Sequence, residues 1–168
     1  TIGGAAAASR LKELRLLYVG GEAPTSDVVD TWARGRRLDN GYGPTECAIT
    51  VCRTIVRAED PEITIGTVVA NNTAWILDED LNVVDDGVAG ELCIEGDSVT
   101  RGYLNRPELT REKFYEHPTC GRIYRTGDLV KRLPNGTILF MGRIDTQVKL
   151  RGYRVELTDI ESHTNEYP

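Results

Sequence analysis

The sequence predicts an α/β segment running into a mainly antiparallel β-region, and three observations carry that expectation. The first is an apolar run, Leu14–Val19, that ends in Gly20-Gly21 and precedes an amphipathic stretch, Ser26–Arg34. The second is a change of character at Ile49, beyond which short apolar runs recur between turn signals. The third is a reversal of hydrophobic phase around Gly152.

In chain order, Thr1–Ser9 is rich in Gly and Ala with little pattern and reads as a frayed start. Leu14–Val19 suits a buried strand ahead of a tight loop. In Ser26–Arg34, Val28, Val29 and Trp32 share one helical face, with Thr25 or Ser26 placed to cap it. Arg37–Asn40 then leads into a second glycine loop. This is half of an α/β unit. Its strands need neighbours, so the 168 residues alone are expected to be marginally stable or aggregation-prone.

Ile49–Val56 and Thr73–Leu77 are strand candidates, and Glu91–Glu95 alternates, with Leu92 and Ile94 facing inward. Asp86-Gly87 and Asn135-Gly136 are hairpin-type turns, the second joining Leu129–Leu133 to Thr137–Met141. A helical insert, Pro107–Phe114, interrupts the series. The expected organisation is an α/β part over residues 1–58, a small distorted β-barrel over 59–141 and a further part over 142–168. In that last part Val148 and Leu150 hold even positions, whereas Tyr153, Val155 and Leu157 hold odd ones. A flat strand cannot change faces, so Gly152 marks a bulge or tight turn. Thr158 and Glu161 form a capping box that opens a helix.

Twenty Lys and Arg stand against 26 Asp and Glu, a net charge of −6, and no basic stripe is present. That argues against nucleic acid as a partner. No apolar run approaches the roughly 18 residues of a membrane span, and no charged, apolar leader opens the sequence. A cytoplasmic protein without membrane contact is expected. The four cysteines, Cys47, Cys52, Cys93 and Cys120, include no C-x-x-C pair, and with only His117 and His163 they show no zinc spacing. Reduced structural thiols are expected. Asp78-x-Asp80-x-Asn82 opens like a calcium loop, but Val83 stands where the turn needs Gly and Ala89 where the bidentate Glu belongs. A polar hairpin is expected instead. Neither a P-loop nor a G-x-G-x-x-G occurs, and no arrangement for a protein nucleophile is legible.

Asn40-Gly41-Tyr42-Gly43-Pro44-Thr45-Glu46 is more specific. Two glycines flank an aromatic, letting backbone approach a ligand while Tyr42 offers a stacking face. Thr45 and Glu46 supply a hydroxyl and a carboxylate side by side, a pair suited to a phosphate oxygen and its Mg²⁺. A plain Gly-Pro turn is the other reading. In Tyr124–Leu129, Asp128 follows a turn glycine and could accept hydrogen bonds from vicinal ribose hydroxyls, although turns contain many such residues. Arg143 and Asp145 lie two apart, so Arg143 can meet either a phosphate or its own neighbour.

Together these segments resemble the adenylation domain of a nonribosomal peptide synthetase, within the adenylate-forming, AMP-binding superfamily. The matches run in order: Asn40–Glu46 (NGYGPTE), Gly90–Leu104 (GELCIEGDSVTRGYL), Tyr124–Leu129 (YRTGDL) and Gly142–Glu161 (GRIDTQVKLRGYRVELTDIE). Leu16–Ala23 (LLYVGGEA) fits the approach to the first. The resemblance implies that an amino acid or related carboxylic acid attacks the α-phosphate of Mg·ATP to give an acyl-adenylate. The acyl group then passes to the phosphopantetheine thiol of a peptidyl carrier domain, beside neighbouring synthetase domains. It also implies site roles. Tyr42 stacks on adenine, with Asn40 and Gly41 near its amino group. Thr45 contacts phosphate, Glu46 holds Mg²⁺, Asp128 binds the ribose, and Arg143 reaches the ribose or phosphate region. Asp145 corresponds to a hinge, and Gly152 to the approach of the pantetheine arm. Tyr18, Gly20, Gly41, Ile49 and Thr50 line the side-chain pocket.

The family's Ser/Thr/Gly-rich phosphate loop, its Asp for the substrate amino group and its Asn-Gly-Lys segment are not found in these residues. Asp97-Ser98 and Thr158 depart from common choices. The resemblance therefore implies a fragment: the end of an α/β subdomain, a distorted barrel and the start of a mobile C-terminal subdomain, inactive by itself. An acyl- or aryl-acid ligase of the same superfamily and a non-catalytic nucleotide-binding module are the alternatives. The run Gln147–Glu156 favours the peptide-synthetase branch.

Overall fold

Four consecutive alanines, Ala5–Ala8, start helix α1 (Ala5–Arg10), where a frayed segment was expected. Alanine is the strongest helix former, and the helix end is held by Arg36, whose Nη2 donates to Ala8 O at 2.6 Å and Leu11 O at 3.1 Å. The terminal carbonyls thus gain a cation as partner. The computed structural model describes residues 4–145, 147–150, 153–156 and 164.

The first sheet has the order β1-β2-β3-β4 and consists of β1 (Leu16–Gly20), β2 (Arg37–Tyr42), β3 (Cys52–Val56) and β4 (Thr67–Val68). β1 runs parallel to β2, with helix α2 (Ser26–Trp32) between them, and β3 runs antiparallel to β2. β4 follows the residue-58 boundary and pairs with β3. Thr25 occupies the N-cap of α2 without a side-chain cap bond. Val29 of α2 packs with Leu38 and Val56 in a small core.

Three local elements differ from the sequence expectation. β1 is not a buried strand: Leu16 and Tyr18 are half-exposed, because among the described residues β1 pairs only with β2. The second glycine loop is strand instead, since Asn40-Gly41-Tyr42 completes the central β2 with partners on both sides. The strand expected from Ile49 begins only at Cys52, because Ala48 (φ 54°) and Ile49 (φ 77°) are left-handed. Two residues in that conformation cannot extend a ladder.

The second sheet contains β5 (Asn72–Leu77), β6 (Ala89–Gly96), β7 (Phe114–His117), β8 (Gly121–Arg132) and β9 (Ile138–Arg143), all pairings antiparallel. β8 is central. β6 lies along one edge, while β7 and β9 share the other in succession. Helix α3 (Pro107–Lys113), with Pro at its first position, delivers the chain to β7. Leu92 and Ile94 are fully buried as expected, but so is Cys93 between them. β6 is covered on both faces: Leu92 and Ile94 enter the main core, and Cys93 joins Leu77, Cys120 and Ile123 on the other side.

Asn135-Gly136 does close the β8–β9 hairpin, though by a longer route than a two-residue turn. Gly136 N–H donates to Leu133 O at 2.8 Å, and Gly136 alone takes the positive φ, at 81°. Asp78 and Asn82 form the expected polar hairpin, with Asn82 N–H on Asp78 Oδ1 at 2.8 Å. The sheets are joined by backbone: Ile65 N–H donates to Ile138 O at 2.9 Å, and Ile138 N–H to Gly66 O at 2.8 Å. The main core includes Tyr42 and Cys52 from one sheet, Val51 from the loop between them, and Leu92, Ile94 and Val130 from the other sheet. β10 (Gln147–Leu150) and β11 (Tyr153–Glu156) form an antiparallel hairpin with Leu150 facing Tyr153. Gly152 and the capping box Thr158–Glu161 lie outside the described residues.

All four cysteines are buried and free. Burial, with Glu46 adding to it at Cys47, pushes the Cys47 and Cys52 thiols up to about 12 from an ordinary 9.0. Cys93 and Cys120 are raised as well, chiefly by burial. Three pH units of suppressed ionisation reduce the thiolate about a thousandfold at pH 8. Thiol-reagent titration should therefore find Cys47 and Cys52 silent in the native protein and all four cysteines reactive in guanidinium. Rapid native labelling of either would contradict the packing.

Candidate functional site

The ends of β2 and β9 border a cavity of about 650 Å³, into which Asn40, Gly41 and Tyr42 project from one side and Phe140 and Arg143 from the other. The loop after β1 contributes Gly21 and Glu22, and the link between β9 and β10 contributes Asp145. Asp128, only 2% exposed, does not itself line the cavity but is bonded to two residues that do, Tyr42 and Arg143. A buried carboxylate needs donors, and it has them. Tyr42 Oη donates to Asp128 Oδ2, and Arg143 Nη1 donates to Oδ1 at 2.8 Å.

Local irregularity aims this carboxylate. The β6–β8 register shifts between Glu91 and Cys93, so Thr126, Gly127 and Asp128 bulge from β8. Gly127 takes φ 71°, and a Cβ there would lie 2.9 Å from Arg143 Nη2 and from Asp145 Oδ2. Thr126 Oγ1 receives the Asp128 N–H at 3.0 Å, and Thr126 O accepts from Arg143 Nη1 at 2.8 Å.

Arg143 also grips Asp145 through Nε (2.9 Å) and Nη2 (2.6 Å). Of the partners that spacing left open for Arg143, its neighbour is taken, with Asp128 added. Burial works against the guanidinium's charge, but Asp145 and Asp128 outweigh it and hold its pKa above the ordinary value. For Asp145, burial pushes the other way, yet the bonds from Arg143 leave its carboxyl below the usual 3.8. The Tyr42 phenol is raised well above 10.0, first by burial and then by the Asp128 charge. Tyr42 is therefore a neutral donor at every physiological pH.

A second group converges beside Gly41. Tyr18 Oη and Thr50 Oγ1 are hydrogen-bonded at 2.8 Å, and a Cβ on Gly41 would lie 1.7 Å from Tyr18 Oη. Gly20 faces Gly41 in the β1–β2 ladder. Tyr18, Gly20, Gly41 and Thr50 are thus brought together. Ile49 flanks them, 75% exposed on its left-handed backbone. Thr45 and Glu46 open a 3₁₀ turn (Thr45–Cys47) outside the cavity lining. Thr45 is exposed, whereas Glu46 is buried and accepts from Tyr103 Oη at 2.6 Å on Oε1.

Sequence reasoning missed Thr126, Tyr103, Glu91 and Phe140. Thr126 and Glu91 carried no signal in the alternation, which gives the face a residue occupies and not what its polar atoms touch. Tyr103 and Phe140 carried none either.

A cavity of this size, lined by aromatic rings and glycine backbone and by two donors to a buried carboxylate, has the character of a small-ligand site. The model of the AMP-binding enzyme family matches residues 2–104, and the chain belongs to that family. Within it, the chain is similar to peptide-synthetase adenylation domains. It is 48% identical to tyrocidine synthase 2 of Brevibacillus parabrevis over 91% of its length, and 46% identical to bacitracin synthase 3 of Bacillus licheniformis over 92%. It spans only 4% and 2% of those proteins. Among solved structures, holo-PA1221, a protein containing adenylation and PCP domains, superposes with a TM-score of 0.89 at 34% identity. That match covers 96% of this chain and 30% of the other. The Vibrio cholerae adenylation domain AlmE, solved with glycyl-adenosine-5'-phosphate, gives 0.84 at 34% identity, over 93% of this chain and 31% of that one.

Because Asp145 is lowered in the folded state, its pairing stabilises the protein above the ordinary value of 3.8 and is lost as pH falls through the lowered one. Asp145→Asn should lower the unfolding midpoint at neutral pH, with the gap to the parent closing in acid. A gap of constant size down to pH 2 would show that the carboxylate charge contributes nothing.

Proposed function

We propose that the chain is the part of an adenylation domain that binds ATP and presents it to an amino acid, giving an aminoacyl-adenylate and pyrophosphate. The single observation carrying this reading is the Tyr42–Asp128–Arg143 cluster at the edge of the cavity. The cavity suits a purine nucleoside, with Tyr42 against the base and the backbone of Asn40 and Gly41 at its edge. Asp128, already oriented by two donors, accepts from the ribose hydroxyls. Arg143 carries two carboxylates, which leaves it better suited to steady Asp128 beside the ribose than to neutralise phosphate.

In the reaction a carboxylate oxygen of the amino acid forms a bond to the α-phosphorus as the bond to the pyrophosphate oxygen breaks. No protein proton has to move, so the chain contributes position and charge. Among the described residues no three His, Cys, Asp or Glu side chains converge as a metal cage. Mg²⁺ takes one or two carboxylates and shares its shell with phosphate. Glu46, buried and held by Tyr103, is the carboxylate that would hold it, with Thr45 beside the phosphate. Bound Mg²⁺ supplies charge neutralisation.

Tyr18, Gly20, Gly41, Ile49 and Thr50 would meet the amino-acid side chain. Residues 1–58 would then be the end of an α/β subdomain, 59–141 its barrel, and 142–168 the hinge at Asp145 with the start of a mobile subdomain. Gly152 would face the phosphopantetheine arm of a peptidyl carrier domain, within a cytoplasmic synthetase. The hinge assignment is supported by Asp145 Oδ1, which accepts the Gln147 N–H at 3.1 Å where β9 gives way to β10. No described helix is long and apolar enough to cross a membrane.

ATP–pyrophosphate exchange tests the reading. The full-length protein should exchange with one amino acid, whereas these 168 residues alone should be silent. Asp128→Ala should raise the KM for ATP about ten- to a hundredfold, the value of bonds to a charged acceptor, and leave the KM for the amino acid unmoved. An unchanged KM for ATP would remove Asp128 from the site.

A further inference from the structure

We propose that Glu91, on the strand beside the site, is a positioning residue for nucleotide recognition: its carboxylate holds the bulge that aims Asp128 at the ribose. The inference rests on the reading of Asp128 as the ribose acceptor. It begins with the backbone. Glu91 faces Leu129 and Cys93 faces Arg125 in the β6–β8 ladder. The single residue Leu92 therefore stands opposite Thr126, Gly127 and Asp128. All three are buried, and buried amides displaced from a ladder need other partners.

Side chains provide them. Thr126 Oγ1 bridges Leu92 O at 2.7 Å and the Asp128 N–H at 3.0 Å. The Gly127 N–H, at the left-handed apex, goes to Glu91 Oε1 at 2.9 Å. Glu91 Oε2 meanwhile receives Nε and Nη2 of Arg125 at 3.0 and 2.7 Å. On the opposite side Gly127 O accepts the Ile144 N–H at 2.9 Å. Gly127 is thus clamped between Glu91 and the segment carrying Arg143 and Asp145.

Glu91 is 8% exposed, yet it does not line the cavity. An ion pair with the partly exposed Arg125 would by itself do no more than partner the buried Glu91 charge. The Gly127 bond distinguishes the two roles, because it joins a charged acceptor to the residue preceding Asp128. A carboxylate accepts on both oxygens, whereas an amide accepts on only one. In Glu91→Gln, a donor must face either Gly127 N–H or the Arg125 guanidinium.

The test compares ATP with 2'-deoxy- and 3'-deoxy-ATP in pyrophosphate exchange by the full-length protein and its Glu91→Gln, Glu91→Asp, Asp128→Ala and Arg125→Gln variants. Glu91→Gln should raise the KM for ATP and cut the preference for ATP over the deoxy analogues about fivefold, with the KM for the amino acid unchanged. Arg125→Gln, which leaves the Gly127 bond in place, should keep the full preference. If Asp128→Ala loses the preference while Glu91→Gln and Glu91→Asp both keep it, the positioning role is wrong and the ribose reading survives. If Asp128→Ala keeps it, the ribose reading fails and takes the inference with it. Glu91→Asp keeps the charge but shortens the reach to Gly127. Should Glu91→Gln fail to fold, Glu91→Asp is read alone in the same assay, and a retained preference overturns the proposal.

Discussion

The buried carboxylate of Asp128 is the constraint around which the rest is arranged. A charge so far from water must be met by donors, and two of them come from different sheets: Tyr42 from β2 and Arg143 from β9. That requirement places the end of β2 against the second sheet, with the cavity bordered by both. It extends further through Arg143, whose remaining donors hold Asp145 and so the exit of the chain toward β10. The β8 bulge, the glycine at its apex and the hydroxyl of Thr126 all serve to bring one carboxylate to that point.

The same chemistry explains the character of the site. Tyr42 is kept neutral by burial beside a negative charge, and Arg143 is kept positive by its two carboxylates. Neither is poised to exchange a proton near neutrality. A site built from such groups is suited to hold and orient a ligand and not to shuttle protons. The cysteines, raised by burial, stay outside this chemistry.

Much of the architecture was legible in the residue pattern. The β6 alternation, the α3 insert and the turn at Asn135-Gly136 all appear where periodicity and turn chemistry put them. What escaped has identifiable causes. Helix α1 depends on alanine propensity and on a cation from Arg36, 28 residues away from Ala8, which no local window contains. The exposure of β1 follows from its having one partner among the described residues, a fact of topology that composition does not carry. The left-handed pair Ala48-Ile49 contradicts the strand preference of isoleucine because the tertiary fold overrides it. At the site, the motifs named Tyr42, Asp128 and Arg143 but could not show that they meet. Glu91 and Thr126 stayed hidden because alternation reports which face a residue occupies, not what its polar atoms touch.

The seam between the sheets has a consequence for how such a chain diverges. Its hydrogen bonds run between main-chain atoms of Ile65, Gly66 and Ile138, and every amino acid except proline carries the N–H that those bonds require. The bonds themselves do not depend on which side chain stands at Ile65 or Ile138, whereas Gly66, at φ 82° with Arg53 O 2.1 Å from where a Cβ would stand, must remain glycine. Relatives that share only about a third of their residues with this chain still superpose on it closely. A joint written in the backbone lets either sheet exchange most of its side chains while the two stay fastened.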